Sequence, residues 1–336
     1  MDKPKLYWID SLKAFGILLV VIGHSGVPSM IGKFIYGFHM PLFFMISGYL
    51  FNEEKWFTEG FRSFTKNRWA SYINIYFIWA IVNLLLNFPI ELYDNNWSIS
   101  DTVYSAFEHI WWILISYGGY KEYPNCTPLW FLPCLFISSI YLYCLVKVER
   151  KWGLKYSIFM SMLMLLANYF LRQNNSFILP WHMDVALSAS FIMYIGHLMN
   201  KKSILVKSIT PIIIIFSFFV GTATIMVNEK IDMNMNCLGS PLLFYVGAIS
   251  ISFVLLFLFY NIKVLNWTNL IISRIGGGRN TITILALNYF FNTIFRRTIG
   301  SYLPNSLFWI VDVLFVMVAS YLVIISIEKM KIRQVI

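Results

Sequence analysis

From Pro241 to Tyr260 the chain reads PLLFYVGAISISFVLLFLFY, without one charged side chain. A helix of that length rises about 30 Å, the thickness of a bilayer's hydrocarbon core. Lipid offers no water to backbone N–H and C=O groups, so such a run closes its own hydrogen bonds as a helix. Similar runs recur along the sequence. Of 336 residues, 58% are hydrophobic and 12% charged, and the mean hydropathy is +0.66. A soluble domain carries about 25% charged residues. Too few polar residues remain to coat a separate soluble domain. The sequence therefore predicts an all-α, polytopic membrane protein, with residues 1–336 as a single integral-membrane domain.

Hydrophobic pattern and turn residues predict ten helices, at about 9–25, 31–51, 69–89, 128–148, 154–171, 178–199, 208–227, 240–260, 280–295 and 305–327. Lys55, Arg62, Lys66 and Arg68 follow the second helix, Lys147, Arg150 and Lys151 the fourth, and Lys201 and Lys202 the sixth. Lys263, Arg274 and Arg279 separate the eighth from the ninth, and Lys329, Lys331 and Arg333 lie in the tail. Basic loops stay in the cytoplasm, which puts both termini inside. By charge, residues 53–69 read as cytoplasmic and residues 261–279 as a cytoplasmic loop. Residues 103–119 are apolar but broken by Glu108 and His109. Counting them as a span would turn Lys147, Arg150 and Lys151 outward, so they read as re-entrant or interfacial. Arg296 and Arg297 fall outside against the charge rule, as headgroup anchors or facing an anionic acceptor.

The net charge of +10 belongs to these loops. No basic, aromatic-interleaved polar segment suggests nucleic acid as a partner. The cysteines at 126, 134, 144 and 237 form no CxxC and no Cys/His cluster, so no metal site is expected. Cys126 and Cys237 share the outer side, where a bridge is open but not favoured. The first apolar run lacks a small-x-small cleavage site and reads as a retained helix. No internal repeat is visible.

The chemistry concentrates in residues 7–50. Lys13 and His24 lie eleven residues apart, about 20° around a helix and about 16 Å along it. Asp10 falls about 40° from His24 on the same stripe. An ionisable residue inside a span costs a few kcal/mol, so by default it faces protein or water and marks a site. The plainer reading puts Asp10 and Lys13 at the headgroups, with the lysine snorkelling, and His24 in packing. His39, in the second run, stands at a depth similar to His24. It orients His24 or an acceptor, or it bonds between helices.

The opening motif, W-I-D-x-x-K…V-I-G-H followed by F-H-M-P-L-F-F-x-I-S-G, resembles the acyltransferase-3 family of polytopic bacterial O-acyltransferases. The family's basic residue, ten intervening residues and histidine match Lys13 and His24. WFLP at Trp130–Pro133 and Gly-Arg-Asn-Thr at Gly278–Thr281 extend the likeness over nearly the whole chain. The resemblance implies acetyl-CoA as donor and a surface-sugar hydroxyl as acceptor. His24 becomes the expected catalytic residue, as general base or as a transient acyl carrier, with Lys13, Asp10 and His39 beside it. Arg68 and Lys66, with Arg279 and Asn280 at a helix N-terminus, are expected at the anionic donor. Two departures stand out: Thr65 breaks the family's frequent Arg-x-x-Arg, and Asn288 takes a place where the family often has histidine. Asp184 and Trp130 are assigned to the acceptor, against an interfacial aromatic belt as the plainer reading. The expected protein is an O-acetyltransferase of the bacterial inner membrane, partnered by lipids and by a polysaccharide or its lipid-linked precursor. A transporter of a glycan or small solute is the alternative, since polar residues within spans also mark transport paths.

Overall fold

The computed structural model describes residues 6–117, 124–173, 179–207, 209–261 and 269–330. Among them the regular elements are helical, apart from one isolated bridge between Asp232 and Cys237. In chain order the α-helices are α1 (Tyr7–His24), α2 (Ser29–Tyr36), α3 (His39–Tyr49), α4 (Glu53–Glu59), α5 (Phe61–Arg68), α6 (Asn74–Asp94), α7 (Ile99–Ile115) and α8 (Phe131–Trp152). They continue as α9 (Leu154–Gln173), α10 (Met183–Lys201), α11 (Pro211–Val227), α12 (Pro241–Asn261), α13 (Asn269–Gly276), α14 (Asn280–Thr298) and α15 (Asn305–Lys329).

Seven helical segments among the described residues are long and apolar enough to cross a membrane. They are Tyr7–His24, Ser29–Tyr49, Phe61–Asp94, Thr127–Trp152, Leu154–Gln173, Pro241–Asn261 and Ser306–Lys329. Helix α11 is apolar but shorter. It exposes Ile212, Phe216 and Phe219 along one side, a surface suited to lipid rather than water. The chain is a multi-pass membrane protein.

The helices gather into two compact units. The first takes Met1–Tyr49, Leu198–Met233 and Cys237–Ile336, and the second takes Leu50–His197 with Asn234–Asn236.

In the first unit α1 is the central helix, burying Ile9, Leu12, Ile17, Val20 and Val21. It ends where Gly26 adopts φ +74°, ahead of Pro28. The expected single helix over 31–51 is broken between α2 and α3. Pro41 explains the break: its ring would clash with the carbonyl of residue 37 in a continuous helix. The presumed loop at 261–279 contains α13, which lies so close to α1 that a Cβ at Gly276 would overlap the Asp10 carbonyl. Helices α11 and α12 meet through Gly221 and Gly247, and a Cβ on Gly247 would lie 2.6 Å from Ile225. Small residues allow this approach where lipid supplies no hydrophobic drive.

In the second unit the charged stretch at 53–69 is largely helical. Its positions are amphipathic, and α4 and α5 bury Trp56 and Phe64, which pack edge-on to each other. Asn52 caps α4 by accepting from the Lys55 backbone N–H. Helix α5 runs through a π-helical turn at Trp69–Ile73 into α6. Helix α7, at 17 residues, falls in the expected interfacial segment and exposes Tyr104, Phe107 and Trp111.

Candidate active site

His24 is the last residue of α1 and is partly buried. Two phenols approach its Nδ1: Tyr36 Oη from α2 at 3.2 Å and Tyr289 Oη from α14 at 3.3 Å. Its Nε2 has no hydrogen-bond partner among the described residues. The backbone is tied down as well. The His24 carbonyl accepts from Asn292 Nδ2 at 2.8 Å and from the Arg296 guanidinium at 3.4 Å. Arg296 also donates to Asn292 Oδ1. Tyr289, Asn292 and Arg296 follow 3- and 4-residue steps, which puts them on one face of α14. A cation at the carbonyl end of α1 also opposes its partial negative charge. Arg296 therefore fastens α1, a role that neither reading of it as headgroup anchor or acceptor contact anticipated.

His39 is buried at the start of α3. Its Nδ1 donates to the Ile35 carbonyl at 2.8 Å, since a carbonyl only accepts, which leaves the lone pair on Nε2. Tyr36 stands between the imidazoles, its ring centroid 6.0 Å from His24 and 5.1 Å from His39. Lys13 and Asp10 pair across one turn of α1 at 3.6 Å.

Sequence reasoning missed Asp312. It is fully buried within α15, its carboxylate makes no hydrogen bond among the described residues, and Ser25 and Arg296 are the groups acting on it. A lone acid in the middle of an apolar run was the available signal. Asn288 is also fully buried, with both amide atoms unpartnered among the described residues.

At the start of α14, Arg279 is exposed, while Asn280 donates to the Arg274 carbonyl at 2.7 Å and to Glu328 at 3.3 Å. Asn280 thus ties α13 and α15 to the base of α14. In the second unit, Lys66 is exposed and Arg68 donates to Tyr72 Oη at 3.1 Å, with its guanidinium against the Trp56 and Phe64 rings. Asp184 lies in the first turn of α10 and accepts from Asn236 at 2.8 Å. Trp130 is buried, its ring 5.1 Å from that of His182. Cys237 is a free thiol, and the Cys126 side chain lies outside the described residues. Among the described residues no cluster of three His, Cys, Asp or Glu is disposed to hold a metal ion.

A partly buried imidazole at the end of a membrane helix, held through both its ring and its backbone, marks the candidate site of this multi-pass membrane protein. A family model described as an acyltransferase domain matches residues 6–329. The chain belongs to the acyltransferase-3 family, and membrane acyl transfer is its class of activity. No curated protein and no solved structure matches the chain.

Proposed function

We propose that the protein moves an acetyl group from acetyl-CoA to a sugar hydroxyl of a surface polysaccharide or its lipid-linked precursor, in the bacterial inner membrane. The observation that carries this is His24: Nδ1 is engaged by two phenols while Nε2 is left open. In the general-base route, Nε2 takes the acceptor's hydroxyl proton as the oxygen attacks the thioester carbonyl. The C–S bond then breaks, and the proton passes to the departing CoA thiolate. In the acyl-carrier route, Nε2 attacks the thioester carbonyl and the C–S bond breaks with loss of CoA thiolate. The acceptor hydroxyl then attacks the acyl-imidazole, the C–N bond breaks to free the ring, and the hydroxyl proton goes to the thiolate. Both routes need an uncoordinated Nε2 held in one orientation, and the tyrosines supply the orientation.

Arg68 and Lys66, with Arg279 and Asn280, are assigned to the CoA anion, Asp184 and Trp130 to the acceptor, and His39, Lys13 and Asp10 to support of His24. The two units act as one acyltransferase domain, a reading supported by a single family model that spans both. The ten-helix arrangement with cytoplasmic termini belongs to the same proposal. The test is ester-linked acetate on the surface glycan, read by mass spectrometry with and without the protein. Loss of acetate with normal glycan export supports acyl transfer. Normal acetate with blocked export would establish the transporter instead. His24→Ala is expected to abolish acetylation at unchanged protein level, and retained acetylation removes His24 from the mechanism.

A further inference from the structure

We propose that His182 Nε2 and Ser116 Oγ form a hydroxyl-binding subsite in the second unit, which takes a hydroxyl of the acceptor saccharide. His182 is 5% exposed, and its Nε2 has no hydrogen-bond partner among the described residues. The ring's other nitrogen faces the backbone carbonyls of Ser116 and Asn234. Carbonyls only accept, so that nitrogen carries the hydrogen and Nε2 keeps a lone pair. Ser116 is 3% exposed, and its Oγ is also unpartnered among the described residues. A buried polar atom left without a partner costs about 1–3 kcal/mol. Two such atoms on adjoining residues present one acceptor and one hydroxyl, which is what a neutral polyol hydroxyl requires.

The surroundings hold these groups in place. Asn168 and Asn236 exchange amide hydrogen bonds, and Asn236 donates to Asp184 Oδ2 at 2.8 Å. Asp184 acts on the His182 ring, and Trp130 packs against it at 5.1 Å. Among the described residues seven non-glycine residues adopt positive φ, and four of them, Ser116, Trp181, His182 and Asn236, belong to this cluster. A left-handed conformation costs roughly 1 kcal/mol or more for such residues and persists where the surroundings enforce it.

The subsite rests on the acyl-transfer reading for the identity of its ligand, and its test is binding. Nanodisc-embedded protein is titrated with methyl glycosides of glucose, galactose, rhamnose and N-acetylglucosamine, read by saturation-transfer NMR. At least one glycoside is expected to bind saturably. His182→Asn keeps a donor for the Ser116 carbonyl but deletes the Nε2 acceptor, and should weaken that binding about tenfold. Ser116→Gly removes the hydroxyl while suiting the left-handed backbone, and should weaken it severalfold. His182→Gln, with a polar atom near the Nε2 position, should bind closest to wild type. No saccharide binding by the wild type, as when an ordered water fills the place, overturns the proposal. So does equal binding by folded His182→Asn or Ser116→Gly protein. Release of CoA thiol from acetyl-CoA by the wild type, assayed alongside, judges acyl transfer separately.

Discussion

Two tyrosine hydroxyls, of Tyr36 and Tyr289, stand at one imidazole nitrogen of His24 and hold the ring in one orientation. If a phenol accepts from Nδ1–H, the Nε2 lone pair is free for chemistry. Each phenol is one of two alternative partners, so Tyr36→Phe or Tyr289→Phe alone should cut turnover only severalfold. The double substitution should cut it by about two orders of magnitude, because the ring then loses both restraints. Turnover of purified protein with acetyl-CoA checks this, and an unaffected double variant would remove the tyrosines from the mechanism. His24 was legible from its spacing to Lys13 and from the opening motif. Its tyrosine partners were not, because Tyr289 lies 265 residues away and only packing brings it to the ring. Asp312 was legible in principle, as an acid within an apolar run, and was passed over.

The close contact between α1 and α13 leaves Gly276 no room for a side chain. A Cβ there would overlap the Asp10 carbonyl, whose backbone atoms cannot rotate away. Gly276→Ala should therefore force the helices apart and destabilise the protein by about 3 kcal/mol. A lowered midpoint of thermal unfolding in detergent measures it, and an unchanged midpoint would mean the two helices part at no cost. Helix positions along the apolar runs were readable from period and length alone. The span expected at 31–51 is present as Ser29–Tyr49 but is divided by a turn ahead of Pro41 into α2 and α3, and the loop expected at 261–279 holds α13. At 53–69 charge gave only the side of the membrane, whereas Trp56 and Phe64 needed burial, and the helices α4 and α5 supplied it.

Across the whole molecule, basic residues predict which loops stay inside, and single-cysteine labelling in a cysteine-free background tests that orientation. Gly60→Cys, between α4 and α5, should react only with a membrane-permeant maleimide in intact cells. Asn96→Cys, between α6 and α7, should react with an impermeant one, and the reverse pattern would invert the topology. The sequence by itself determined that the chain is helical and membrane-embedded, because lipid leaves a long apolar run no other way to satisfy its backbone. It also marked His24, because a polar group is costly in such a run and seldom present without a use. Only the tertiary structure decided what surrounds that ring and which buried polar atoms find no partner among the described residues. Hydrogen-bond partners from α1, α2 and α14 meet in space across gaps in the chain that no local period records.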